Sequence, residues 1–474
     1  MRYVDKKITF GVIVGTRGFF NSALAAQGRK DLLAKLKKLG YGAVILPADA
    51  TPTGAVETLE DADKCAKLFQ EERDKIDGVI VALPNFGDEL GAIHTLTSAK
   101  LDVPILVQGE DDELDKLDVK HRRDSFCGKL SVCNNLYQCG IPFTDTTFHT
   151  EALNGEEFTR DLHFFARVCR VVNGLRHARI GAVGARPAAF QTMRFSEKLL
   201  QASGITVVTV DLSEIIGAAN AIADSDKAVK ARVKQIHAYG KVSPEIPAAD
   251  LVRHGKLLLA LERWIEANRI DAFAMQCWTS IQQNYGCQAC LSMSMLGDKL
   301  IPAACEVDVN GAVSMYALTL AGGQPSALID WNNNYAEQRD KCVAQHCSSF
   351  PRRWFDREVE ITYPAVLSAT LGREICSGAV ECKAAPGPMS YCRVSNDDLR
   401  GRLRVYLGDG RFTDDPFDMP GGIAVVEIPN LQKLLKFMCR NGFEHHGGMV
   451  RGHNAEVLAE AFGTYMKWDV YRHE

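Results

Sequence analysis

Apolar runs alternate with helix-spaced apolar positions through the first third of the chain: ITFGVIVG, then ALAAQGRKDLLAKLKKLG, YGAVILPA, TLEDADKCAKLFQEERDKI, DGVIVALP and VPILVQGE. Near-continuous Val/Ile/Leu runs mark strands buried on both faces. Helices of ordinary length between them predict a parallel sheet with helices on either side. Residues 1–175 therefore read as a doubly wound, Rossmann-like α/β domain. The rhythm restarts at RHARIGAVGARPAAF and continues through GITVVTVDL and HGKLLLALERWIEANRIDAFAMQCW, which predicts a second parallel-sheet domain over 176–345. Past residue 345 the texture changes. VEITYPAVLSATLG, MSYCRVSNDDLRGRLRVYLGDGRFTDD and GGIAVVEI are short strand-like stretches punctuated by Gly, Pro and Asp, with little helix before NLQKLLKFMCRNG. A mainly antiparallel, β-rich domain is expected over 346–474. Internal repeats and heptads are lacking, which excludes solenoid and coiled-coil architectures.

Composition narrows the function classes. A chain of 474 residues is too long for one core, and 46% hydrophobic with 24% charged residues is ordinary for a folded enzyme. A net charge of −4 gives no field for a nucleic acid or an anionic membrane, so neither is expected as a partner. No apolar stretch approaches the roughly 18 residues of a membrane span, and the N-terminus lacks a signal-peptide h-region. A soluble, cytoplasmic protein is expected. The fifteen cysteines, odd in number, then read as free thiols. Cys287 and Cys290 in GCQAC have the spacing of a zinc knuckle or a redox dithiol. No second CxxC completes such a site, and two small core residues on one helix face is the favoured reading. GAVGAR lacks the third glycine of a dinucleotide fingerprint, and Pro187 stands where the helix should open, so no nicotinamide or flavin is expected.

Candidate chemistry concentrates between DAFAMQCWTS and ALIDWNNNY. Glu306 follows a short apolar run and precedes a helix-like stretch, and Asp330 ends the run SALID. Both carboxylates are thus expected at strand ends in an α/β unit, where ligands bind. A lone ionised carboxylate in an apolar context must be paired, protonated or bound to a cation. Two of them invite a hard divalent ion, with imidazole as a further ligand. The imidazoles are in NGFEHHGGMVRGH, where His445, His446 and His453 stand beside glycines that would let backbone approach a ligand. A functional cation and a structural one remain equally open from the residues alone. Gln276 and Trp278 in MQCWTS suit a polar ligand by hydrogen bonding or stacking, or else core packing. Arg17, in the GTRGFFN loop after the first strand, reads as a ligand contact or as a surface arginine.

CEVDVNGAVSMYALTLAGGQPSALIDWNNNY resembles the metal-binding stretch of the L-fucose isomerase family, in which an acid is followed 24 positions later by an aspartate, the separation of Glu306 and Asp330. EHHGGMVRGHNAEVLAEAFGTYMKWDV resembles that family's late histidine segment, and its HH pair is similar to the one near the end of L-arabinose isomerases. GTR and RIGAVGARPAAFQTMRF resemble the family's first loop and second-domain start. The resemblance implies a metal-dependent aldose–ketose isomerase working through a cis-enediol, with Glu306, Asp330 and His446 holding Mn²⁺, or else Mg²⁺ or Co²⁺. It implies Glu306 and Asp330 as catalytic acid and base, and Arg17, Gln276, Trp278, His445 and Ser348 as contacts to the sugar. It further implies a homo-oligomer, trimer or hexamer, acting on a fucose- or arabinose-type sugar or on a sulfonated one. His445 stands where L-fucose isomerases carry asparagine, and His346 in AQHCSSF is open as a further contact. The rival readings are a metal-dependent sugar lyase or aldolase and a non-catalytic sugar-binding protein.

Overall fold

The computed structural model describes residues 3–474. They form two compact units, one of Asp5–Asn173 with Glu460–Lys467, the other built chiefly from Gly174–Ala459 with Trp468–Glu474. In the first, strands β1 (Thr9–Val14), β2 (Gly42–Val44), β3 (Gly78–Leu83), β4 (Ile105–Gly109) and β5 (Thr144–Asp145) pair in the order β2-β1-β3-β4-β5, all parallel. β3 is buried along its whole length, as its unbroken apolar sequence requires. The helix Leu59–Glu71 between β2 and β3 starts on a capping box, in which Thr58 accepts from the Asp61 backbone and Asp61 accepts in return from that of Thr58.

The second unit contains two sheets. β6 (Arg179–Val183), β7 (Thr206–Val210), β9 (Ala272–Met275) and β10 (Ala303–Ala304) form a parallel sheet in the order β10-β9-β6-β7, whereas the short β8 (Lys241–Val242) joins the edge of the other sheet. That larger sheet is mostly antiparallel: β11 (Ser326–Tyr335), β12 (Gln338–His346), β13 (Glu360–Thr362), β14 (Ala379–Lys383), β15 (Gly387–Asp397), β16 (Arg402–Phe412), β17 (Gly422–Glu427), β18 (His446–Arg451) and β19 (Asp469–Arg472). Around the ring β16-β15-β18-β11-β12-β17 every neighbour is antiparallel, and β17 pairs back onto β16, so these strands close a barrel. Its core includes Ile329, Ala344, Tyr391, Tyr406, Ala424 and Met449. The helix Val309–Gly322, apolar on all sides and buried from end to end save its last residue, packs on β9 of the parallel sheet and on β11, β15 and β18 of the barrel.

Three sequence expectations are corrected. Asp330 does not end a strand of the parallel sheet: β11 runs on to Tyr335 and belongs to the barrel. VEITYPAVLSATLG holds only the short β13; Pro364 caps and Gly372 (φ +96°) ends a helix over Ala365–Leu371, because those apolar positions do not alternate. Cys287 and Cys290 do not share a helix face. Gly286 (φ +85°) ends the helix Ser280–Tyr285 before them, and Cys290 opens the next one, although both thiols are buried.

Candidate active site

Glu306 sits in the turn that leaves β10 and enters the helix Val309–Gly322. It and Val307 both take left-handed backbone conformations, φ +55° and +56°, which cost side-chain-bearing residues about 1–3 kcal/mol each. The turn is held by its neighbours. The Val307 N–H donates to the Met275 carbonyl at 3.3 Å, Asp308 N–H to the Cys305 carbonyl at 2.9 Å, and the Asp308 side chain caps the helix by accepting from Gly311 N–H at 2.9 Å. Trp278 Nε1 donates to Glu306 Oε1 at 2.7 Å, and the Cys277 thiol to the same oxygen at 3.3 Å. The other oxygen, Oε2, is buried and has no hydrogen-bond partner among the described residues. Burial pushes the Glu306 carboxyl above its ordinary range, against the pull of the nearby His346.

Asp330 and His446 reach the same point from the barrel. The β11–β18 register sets them directly opposite each other, so their side chains leave the same face. His446 Nε2 lies 3.3 Å from Asp330 Oδ1 and 3.6 Å from Glu306 Oε2. His446 Nδ1 donates to Asp308 Oδ2 at 2.9 Å, which leaves the Nε2 lone pair aimed at the carboxylates. Asp308 is in turn gripped by the fully buried Arg393, whose Nη1 and Nη2 donate at 2.5 and 3.1 Å, while Arg393 Nε donates to Glu444 at 3.2 Å. Burial alone would raise the Asp308 carboxyl; Arg393 and His446 outweigh it and hold it well below the usual carboxylate range. Burial likewise works against the Arg393 charge, yet Asp308 and Glu444 keep it firmly protonated.

His346 ends β12 with Nε2 at 3.4 Å from His446 Nε2 and 3.7 Å from Glu306 Oε2. Its Nδ1 accepts from the Cys347 N–H at 2.8 Å, so in the neutral ring the proton is on Nε2, which assigns His346 as a donor. The lone pair of His446 Nε2 and the partnerless oxygens Glu306 Oε2 and Asp330 Oδ1 are acceptors facing acceptors. His346 Nε2–H can serve only one of these acceptors at a time, and the N/O donor set of Glu306, Asp330 and His446 could hold a hard or borderline divalent ion.

These groups open into a cavity of about 670 Å³. Trp278, Ser348 and His445 line it, so of the residues singled out from sequence these join Glu306, Asp330 and His446. Phe190 completes an aromatic wall, with ring centroids 5.3 Å from Trp278 and 5.8 Å from His445. Trp278 spends its N–H on Glu306 and offers the cavity only its ring. Gln276 is elsewhere: it accepts from Ala185 N–H at 3.1 Å and lines a separate hollow beside Asp211. Arg17 belongs to the other compact unit, where it pairs with Glu89 and, at 3.7 Å, Asp88. His453 is two-thirds exposed beside Asp409, away from the imidazole cluster. The glycines after His446 serve packing rather than a ligand: a Cβ at Gly447 would meet the Trp331 indole at 2.9 Å, and one at Gly448 would meet Leu318 at 2.8 Å.

Sequence reasoning missed Asp308, Arg393, Glu444 and Phe190. Arg393 had a signal, being one charge within the strand-like MSYCRVSN, since such a group is buried only when paired. Asp308 stands two residues after Glu306, where it looks like no more than a helix cap.

Residues 11–176 match the family described as fucose/sulfoquinovose isomerase, N-terminal domain, and residues 344–474 that described as L-fucose isomerase, C-terminal domain. A sulfoquinovose isomerase of Clostridium sp. (strain MSTE9) is 30% identical over 353 residues, 74% of this chain and 77% of that protein. Sulfoquinovose isomerases of Priestia aryabhattai and Alkalicoccus urumqiensis are each 25% identical, over 298 and 300 residues, covering 62% of this chain and 64% of theirs.

Proposed function

This chain belongs to the fucose/sulfoquinovose isomerase family, whose members are metal-dependent aldose–ketose isomerases, and from that membership we propose that it interconverts a sulfonated aldose with its ketose in the cavity beside Glu306, Asp330 and His446. Isomerase chemistry sets aside the lyase and binding-protein alternatives. The observation that carries the reading is the convergence of His446 Nε2 with the two buried, partnerless carboxylate oxygens.

Glu306, Asp330 and His446 would hold the cation, Mn²⁺ by preference, and it would polarise the carbonyl of the open-chain sugar and acidify the neighbouring carbon. Asp330, about one-third exposed to the cavity, takes the C2 proton and returns it to C1. Glu306, whose burial favours the protonated form, moves the proton between the two oxygens of the cis-enediol. His346 Nε2–H donates to the oxygen that gains negative charge, and Asp308 keeps His446 in the tautomer that leaves Nε2 free. Phe190, Trp278 and His445 exclude water from one side of the sugar, and Ser348 offers a hydroxyl.

None of the described residues lining the cavity is arginine or lysine, so a sulfonate has to meet its cation from outside this unit. Arg17 is our assignment for it, delivered by a neighbouring subunit of a homo-oligomer, trimer or hexamer. A cytoplasmic setting belongs to the same reading and is supported by fifteen unpaired cysteines; among the described residues no helix is long and apolar enough to cross a membrane. The test is to supply sulfoquinovose or L-fucose with Mn²⁺ and follow ketose of equal mass. Turnover of sulfoquinovose at least tenfold above that of L-fucose is expected, with the preference collapsing in Arg17→Met. Equal turnover of both sugars would sink the sulfonate assignment.

A further inference from the structure

Glu306 has two differently furnished sides. Oε2 faces imidazoles, whereas Oε1 faces sulfur: Cys277 Sγ is 3.3 Å away, and Cys305 and Cys347 complete a group whose ligand atoms all lie within 4.8 Å of one another. Cys305 Sγ and Cys347 Sγ are 3.8 Å apart. A tetrahedral cation with metal–sulfur bonds of about 2.3 Å and metal–oxygen bonds of about 2.0–2.2 Å has S···S edges of about 3.8 Å and S···O edges of about 3.5 Å. The two observed separations match those edges without movement of the backbone. The thiols come from three loops, after β9, after β10 and after β12, and these are fixed by the left-handed turn at Glu306 and by Cys290, whose thiol donates to the Cys347 carbonyl at 2.9 Å. Cys277 and Cys305 are buried, while Cys347 lines the cavity and so provides a way in.

We propose that Cys277, Cys305, Cys347 and Glu306 Oε1 form a second, sulfur-rich site that captures a thiophilic divalent cation of the zinc and cadmium class. Each thiol that ligates gives up its proton to solvent as its sulfur–metal bond forms. Soft sulfur selects against Mn²⁺ and Mg²⁺, so the two sides of Glu306 sort cations by softness. Two dications sharing one carboxylate repel, and filling the sulfur site therefore weakens Mn²⁺ binding, by reciprocal linkage. That coupling rests on the function proposed above; the sulfur site itself stands on the thiol geometry alone.

The test titrates Cd²⁺ into the chelator-stripped, fully reduced full-length protein and follows the ultraviolet thiolate-to-cadmium band, with cadmium NMR counting the sulfurs. One equivalent is expected to give a tight phase with three thiolates, weakened at least 100-fold in Cys305→Ser/Cys347→Ser, which still binds Mn²⁺ by electron paramagnetic resonance. In the wild-type protein Cd²⁺ should weaken Mn²⁺ binding at least tenfold. A tight phase that survives the double substitution would assign it to other thiols and overturn the proposal, as would a cadmium resonance in the oxygen and nitrogen range. The NMR readout needs no variant, so it decides the matter even if the double substitution fails to fold. A three-thiolate signal in a protein that neither binds Mn²⁺ nor isomerises sugars would keep the sulfur site and reject the function proposed above.

Discussion

Glu306 and Asp330 bring the same functional group to the same imidazole by different routes. Glu306 arrives from a turn in which it and its neighbour are both left-handed, nearly every atom around it is buried, and its protonation is biased by burial. Asp330 arrives on an unexceptional antiparallel strand, one-third exposed, placed only by the register that sets it opposite His446. The turn concentrates strain and donors on one residue, whereas the strand spreads its positioning over a whole ladder of backbone hydrogen bonds. Strained, over-determined positions of the first kind are where function is stored at a cost in stability.

The largest expected effect tests that contrast. Glu306→Gln should lower kcat/KM by about 10³-fold or more and strip bound Mn²⁺, while the melting temperature rises, since a neutral amide relieves the burial cost and still accepts from Trp278. Asp330→Asn should lose about 10²-fold or more with little change in melting, because its strand is unstrained. Initial rates, metal content and thermal scans decide the matter, and equal melting shifts in the two variants would dissolve the comparison. Next comes Arg393→Met, which leaves Asp308 and Glu444 buried without their partner; a loss of about 3–5 kcal/mol in denaturant unfolding is expected. Asp308→Asn should weaken Mn²⁺ about 10–100-fold and lower kcat with KM nearly unchanged, as expected of a residue that orients His446 rather than touches sugar. The smallest effect is Trp278→Phe. It keeps the aromatic wall and removes one donor to Glu306, for a fall in kcat of about tenfold or less; a larger loss would place the indole N–H on the reaction path.

The fold class was legible because it rests on local periodicity. Unbroken apolar strands spaced by helices gave the parallel sheets of both units, and short alternating stretches gave the antiparallel sheet. Closure of that sheet into a barrel was not legible, since the β16–β17 pairing is a matter of long-range geometry. The helix at Ala365–Leu371 was mistaken because Gly and Pro punctuation reads alike around a short helix and a short strand.

The sequence by itself determined the chemistry available: two acids at the separation seen in a known isomerase family, and a histidine pair late in the chain. Tertiary structure decided how these are used. Strand pairing in β18 sets His446, buried, directly opposite Asp330, while His445, just before the strand, lines the cavity with its Nε2 3.7 Å from Asp330 Oδ1, an arrangement that only the register settles. The same long-range packing set Asp308 and Arg393 behind His446 and drew three cysteines from separate loops to one carboxylate oxygen. No local pattern encodes those meetings, because the groups involved are distant in sequence and become neighbours only when the sheets assemble.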